Sequence, residues 1–226
     1  MSEASKATPS SAELLAQYKT FIDEIFRRLN AVSESLGEID ANPEHPDNWK
    51  NCDFCWFQIR KICEYLTVAI VLAHHCDTGE IADLKKWRPK DLLVQVSKLS
   101  QHPTPVQIGA SFTHGPEENK QIAPLAQPVN GKEISAIYGR CSELLHVGSL
   151  ERILSDNLPS YDVGELKRWV DALRRLLTNH ALLLPGVRKA LVYTAEYGQS
   201  SLLVLGGDEE AIFHTDGLPH FELYAA

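Results

Sequence analysis

The sequence predicts a mainly α protein, a helical bundle with a small antiparallel β appendage at the C-terminus. Three observations predict it. Between Ser10 and Leu184 apolar residues recur at intervals of three and four, the spacing of one helix face. After Pro185-Gly186 the period falls to two, the spacing of half-buried strands. Between Gln101 and Asn130 prolines and glycines cluster too densely for a helix, which marks an insertion within the bundle.

The chain divides accordingly into a flexible tail at 1–9, a helical bundle at 10–185 with a loop or hairpin insertion at 101–130, and a β appendage at 186–226. Ser10-Ser-Ala-Glu13 is a capping-box sequence, and Leu14, Leu15, Tyr18, Ile22, Ile25, Phe26, Leu29, Val32 and Leu36 follow at helical spacing up to Gly37. A linker from Glu38 to Asp47 carries Pro43 and Pro46. Trp49 through His75 is then helix-compatible, with Phe54, Trp56, Phe57, Ile59, Ile62, Cys63, Leu66, Ala69, Ile70 and Ala73 spread over more than one stripe. A helix so widely apolar belongs at the centre of a bundle. Cys76-Asp-Thr-Gly79 reads as a turn, Glu80 to Trp87 as a short helix, and Pro89 as the first residue of another helix reaching about Ser100.

Inside the insertion, Val106 to Phe112 alternates like a strand. Gly131 to Val147 is helical, with Ile134, Ile137, Tyr138, Cys141, Leu144 and Leu145 on one stripe and Gly148 as a stop. Asp162-Val-Gly-Glu165 opens a further helix, in which Val163, Leu166, Val170, Leu173, Leu177, His180 and Leu184 keep heptad spacing up to Pro185. Ala190–Ala195, Ser201–Leu205, Ala211–Thr215 and Phe221–Tyr224 read as short strands between turns.

Composition narrows the functions. The 226 residues are 44% hydrophobic and 23% charged, the balance of a globular chain that buries a proper core. A net charge of −8 excludes nucleic-acid binding by bulk charge, so any polyanion site must be local. No apolar run approaches the roughly 18 residues of a spanning helix, and no membrane partner is expected. Five cysteines without a regular framework, and no signal-peptide pattern, predict reduced thiols and a cytoplasmic protein. The sequence contains no Gly-rich phosphate loop, nucleophile elbow or paired-carboxylate motif.

The stretch Tyr138-Gly-Arg-Cys-Ser-Glu-Leu-Leu-His146 carries the sharpest functional signal. Arg140 falls at the edge of the apolar stripe and His146 on the polar face. Being six residues apart, they are separated by about 120° around a regular helix. Side chains meet at separations of three or four, so the two can converge only if the helix loosens before His146 or a second subunit supplies a partner. In the alternative reading Arg140 is a solvated helix residue, and His146 complements the negative end of the helix dipole.

Arginine followed after four to six residues by histidine resembles the signature of the HEPN superfamily, whose active members are helical-bundle ribonucleases that dimerise to form the site. Where many members carry Asn, Asp or His directly after the arginine, this chain has Cys141. Arg60-Lys-Ile-Cys-Glu64 is similar to the Arg…Glu spacing of related bacterial bundles, and the resemblance spans Trp49 to about Leu184. It implies a metal-independent endoribonuclease without cofactors, working as a homodimer in a toxin or antiviral defence system. An antitoxin or another defence-system protein would be its partner. Its rival is a non-catalytic HEPN-like module that binds a nucleotide or a protein.

In the ribonuclease reading, His146 moves the 2′-hydroxyl or leaving-group proton, and Arg140 holds the scissile phosphate. Arg60, Glu64 and Glu143 are supporting candidates. Arg60 and Glu64 stand one turn apart, placed to pair with each other or with Arg140. The basic segment of Lys85, Lys86, Trp87, Arg88 and Lys90 is the best local RNA patch; equally, its lysines could cap a short helix and its tryptophan belong to the core. Cys52 and Cys55 form half of a zinc pattern, but Cys63, His74, His75 and Cys76 are badly placed to complete it, so buried thiols and no metal are expected. His180 reads as a hydrogen-bonded core histidine; His114 and His214 lack any supporting pattern.

Overall fold

The computed structural model describes residues 11–78, 88–100, 103–107, 131–145, 161–184, 190–196, 199–205 and 212–213. It is mainly helical with a small antiparallel sheet, as the sequence predicts. Among the described residues no helix is long and apolar enough to cross a membrane.

Helix α1 (Ser11–Ala41) buries Leu15, Tyr18, Ile22, Ile25, Leu29, Val32, Leu36 and Ile39. Steps of three and four alternate along that series, giving an unbroken seven-residue repeat. The repeat carries the helix through Gly37, which the sequence suggests as its end. Ile39 is one turn further on and is buried, and packing against the core outweighs the roughly 1 kcal/mol preference against a helical glycine.

The linker therefore shrinks to Asn42–Asp47. Asn48 closes it by donating from Nδ2 to the carbonyl oxygens of Asn42 and Pro43, both at 2.9 Å. Helix α2 (Asn48–Thr78) returns antiparallel to α1: Asn51 meets Glu38, the Cys55 thiol faces the Val32 carbonyl, and Arg28 reaches Gln58 and Tyr65. It continues through Cys76 and Asp77, where a turn is expected from the sequence. Cys52, Cys55, Trp56, Ile59, Ile62, Cys63, Leu66, Ala69, Ile70 and Ala73 are buried along it, and α1, α3, α4 and α5 all pack against it. Phe54 and Phe57, expected on its apolar side, are instead exposed.

Helix α3 (Pro89–Leu99) starts on its proline and buries Leu92, Leu93 and Val96. Helix α4 (Gly131–Leu145) buries Ile134, Ile137, Cys141 and Leu144, and helix α5 (Val163–Thr178) buries Leu166, Val170, Leu173, Leu176 and Leu177. Asp162 caps α5, its Oδ1 accepting from the Glu165 amide at 3.0 Å.

The expected helix up to Leu184 ends early. At Asn179 the backbone turns extended, and β2 (Asn179–Leu183) follows α5 with no residue between them. His180, Ala181 and Leu182 are all buried, so the segment lacks the alternation that announces a strand, and its apolar run fits either structure. Pairing with two neighbouring strands decides for the sheet. Strands β1 (Val106–Gln107), β3 (Ala190–Glu196), β4 (Gln199–Leu205) and β5 (Ile212–Phe213) complete an antiparallel sheet in the order β1-β2-β3-β4-β5. Val106 lies opposite Ala181, Tyr193 opposite His180, and Leu202 opposite Tyr193. Thus the insertion supplies an edge strand; the remainder of its expected strand, 108–112, lies outside the described residues, as do the expected helix at 80–87 and strand at 221–224.

Leu182, Leu191, Tyr193 and Leu202 join the same hydrophobic core as the helices. At that junction Tyr18 and His180 are both fully buried and hydrogen-bonded to each other, while Tyr193 stacks on His180 and donates to Asp23.

Candidate functional site

The seam where α4 packs against α2, with a side chain of α5 reaching across to it, brings the predicted arginines close to one buried thiol. Cys141 occupies the position on α4 that the stripe demands and is fully buried. Burial pushes its thiol up to about 12, with the Arg60 charge pulling the other way and smaller effects from Glu165 and Arg140. The residue directly after Arg140 is thus a core residue and an un-ionised one.

On the α2 side, Arg60 and Glu64 pair with each other, the first of the two arrangements expected. Arg60 Nε lies 3.4 Å from Glu64 Oε1, and Lys61 Nζ lies 2.8 Å from Glu64 Oε2. Tyr138 of α4 joins them. Its hydroxyl accepts from Arg60 Nη2 at 3.2 Å and donates to Glu64 Oε1 at 3.5 Å, while the Arg60 guanidinium sits 5.1 Å from its ring centroid. The Glu64 side chain, 13% exposed, is engaged from three sides, the arrangement of a clamp between α2 and α4.

Arg140 faces the other way. Its Nε and Nη2 both donate to Oε2 of Glu165 at 3.4 Å, and its Nη1 donates to Glu143 Oε2 at 3.5 Å. The arginine is 36% exposed, Glu165 22% and Glu143 55%. These contacts are long and wet, and pairs of this kind contribute roughly 0–1 kcal/mol. Neither Arg60 nor Glu64 appears among these contacts.

His146 lies outside the described residues, as do Lys85, Lys86, Trp87, His114 and His214. Of the basic segment, Arg88 and Lys90 are described. Both are exposed, Arg88 at the extended N-cap of α3 and Lys90 in its first turn. Cys52, Cys55, Cys63 and Cys141 are buried free thiols.

Two residues of the seam escape sequence reasoning. Tyr138 reads as one more apolar-stripe residue, and the pattern does not announce that its hydroxyl emerges between Arg60 and Glu64. Glu165 reads as the last residue of a capping box. Its amide does serve the cap, but its side chain crosses to Arg140. A surplus arginine and a surplus glutamate near two helix ends are the only traces such a pair leaves in a sequence.

Comparison of the chain with protein-family models, with curated proteins and with solved structures found no match to any of them.

Proposed function

We propose that the chain is an HEPN-like, metal-independent endoribonuclease of the cytoplasm, working as a homodimer, with Arg140 and His146 as its catalytic residues. The observation that carries this reading is the state of Arg140. It is a guanidinium on α4, 36% exposed, which among the described residues is held by long contacts to two carboxylates. A phosphodiester can displace contacts worth roughly 0–1 kcal/mol, whereas an arginine locked in a buried pair would cost several. The antiparallel pair of α1 and α2, with the other helices packed on α2, also fits the bundle that the resemblance implies.

The chemistry needs little more. His146 accepts the 2′-hydroxyl proton as that oxygen attacks the adjacent phosphorus and the bond to the 5′-oxygen breaks, and the leaving oxygen takes up a proton. Arg140 balances the extra charge of the five-coordinate phosphorus. The products are a 2′,3′-cyclic phosphate and a 5′-hydroxyl end.

One observation favours a second reading, a non-catalytic HEPN-like binding module. Among the described residues both partners of Arg140 are acidic, in a chain of net charge −8, and Cys141 replaces a polar neighbour with a buried one. A single experiment separates the two. Wild type, Arg140→Ala and His146→Ala are incubated with single-stranded RNA in EDTA. The ribonuclease reading expects cyclic-phosphate ends from wild type alone; equal cleavage by all three, or binding without cleavage by wild type, would sink it.

A further inference from the structure

A planar guanidinium offers two edges that can each receive a two-oxygen acceptor, Nε with Nη2 and Nη1 with Nη2. In Arg140 the first edge is taken by Glu165, whose Oε2 accepts from both nitrogens at 3.4 Å. On the second edge, Nη1 meets Glu143 at 3.5 Å, its one partner among the described residues.

The two glutamates are not equivalent. Glu165 comes from a different helix, is the less exposed, and stands in a first turn fixed by the Asp162 cap. Glu143 lies three residues along α4 from Arg140 itself and is more than half exposed. An exposed pair at this spacing shifts a binding equilibrium by less than about five-fold.

We propose that Glu165 is the positioning residue of Arg140, and that the Nη1–Nη2 edge is the seat of an RNA phosphate, occupied by Glu143 in the free protein. This rests on the RNA reading of Arg140. Glu165 stays in place when the phosphate arrives and holds the guanidinium plane. Glu143 leaves, and its negative charge opposes binding until it does. The acceptor oxygen, rather than the charge, is what positioning needs. Glu165→Gln therefore keeps an oxygen for Nε and Nη2, while Glu165→Ala removes it.

The test measures anisotropy of a labelled, single-stranded 2′-O-methyl oligoribonucleotide, which binds without being cut. It uses full-length wild type, Arg140→Ala, Glu143→Gln, Glu165→Gln and Glu165→Ala, with Glu34→Gln, an exposed site on α1, as a control for net charge. Thermal melts identify any variant that fails to fold. Arg140→Ala is expected to lose binding, and Glu143→Gln to tighten it about two- to five-fold beyond the control. Glu165→Ala is expected to weaken it roughly two- to ten-fold, the cost of re-ordering a free arginine, with Glu165→Gln restoring wild-type affinity or better. Should Glu165→Ala bind as well as Glu165→Gln, or Glu143→Gln match the control, the assignment of edges is overturned while the RNA reading stands. Should Arg140→Ala bind like wild type, both fall.

Discussion

The Tyr18 hydroxyl lies 2.6 Å from Nε2 of His180, joining residues 162 positions apart in the chain inside a fully buried pair. The opposite ring nitrogen, Nδ1, faces the Leu177 carbonyl at 3.0 Å. A neutral imidazole satisfies both contacts, donating from Nδ1 and accepting at Nε2.

Burial lowers the His180 pKa from 6.5 to about 4, with the Leu177 carbonyl pulling weakly the other way. As pH falls through 6.5 the unfolded chain takes up a proton that the folded chain refuses until about 4. Stability from this group is thus complete above pH 6.5 and is lost between 6.5 and about 4, by about 3 kcal/mol in all. Urea unfolding of wild type and His180→Gln at neutral pH and at pH 4.5 checks it. The stability gap between the two should narrow on acidification. A gap independent of pH would mean that the histidine does not titrate this way.

The four buried thiols should be inert in the folded protein. Burial raises the Cys55 thiol to about 11 and Cys141 to about 12, and it also raises Cys52 and Cys63. Thiolate, the reacting form, is scarce there at neutral pH, and solvent does not reach the sulfurs. Iodoacetamide followed by peptide mass spectrometry should leave Cys52, Cys55, Cys63 and Cys141 unmodified until denaturant is added. Modification of Cys63 or Cys141 under native conditions would contradict the packing of α2 against α4.

The Arg60, Glu64 and Tyr138 group should act on stability rather than on chemistry. Glu64→Gln removes the charge that Arg60, Lys61 and the Tyr138 hydroxyl all face, and a cost of about 1–2 kcal/mol is expected from a partly buried, charge-assisted group. Urea midpoints measure it. Any cleavage rate per folded molecule should stay within a few-fold of wild type, and a loss of rate without a loss of stability would return Glu64 to the catalytic group.

The sheet should not be dispensable. A chain ending after Leu184 deletes the buried Leu191, Tyr193 and Leu202, each packed into the common core, where truncating one large side chain typically costs 2–5 kcal/mol. Such a chain should show helical circular dichroism without a cooperative thermal transition. A sharp transition near that of the full protein would show that the helices close a core of their own.

Most of the helices were legible because their apolar positions keep one period, as in the run from Leu15 to Ile39. The boundaries were harder wherever tertiary contact overrode a local signal. Gly37 is a plausible stop, but Ile39 beyond it finds a buried place. His180 to Leu184 continues a heptad, yet the neighbouring strands claim the backbone. The exposure of Phe57 was hidden for a different reason, since Lys61, whose ammonium lies over its ring, reads simply as a polar-face residue. At the candidate site Arg140 was found through its spacing to His146, whereas Glu165 was not, because a pairing across 25 residues has no periodic signature.

The pairing of Tyr18 with His180 also imposes an order on biosynthesis. As the chain emerges from the ribosome, α1 and α2 can fold onto each other at once, since six residues link them. The pocket around Tyr18 stays open for much longer, because His180, 162 residues on, and Tyr193, later still, are what cover it. For that interval an apolar strip on the first helix faces the cell uncovered. Chaperone capture of nascent chains should accordingly fall away only after the third strand of the sheet has left the exit tunnel.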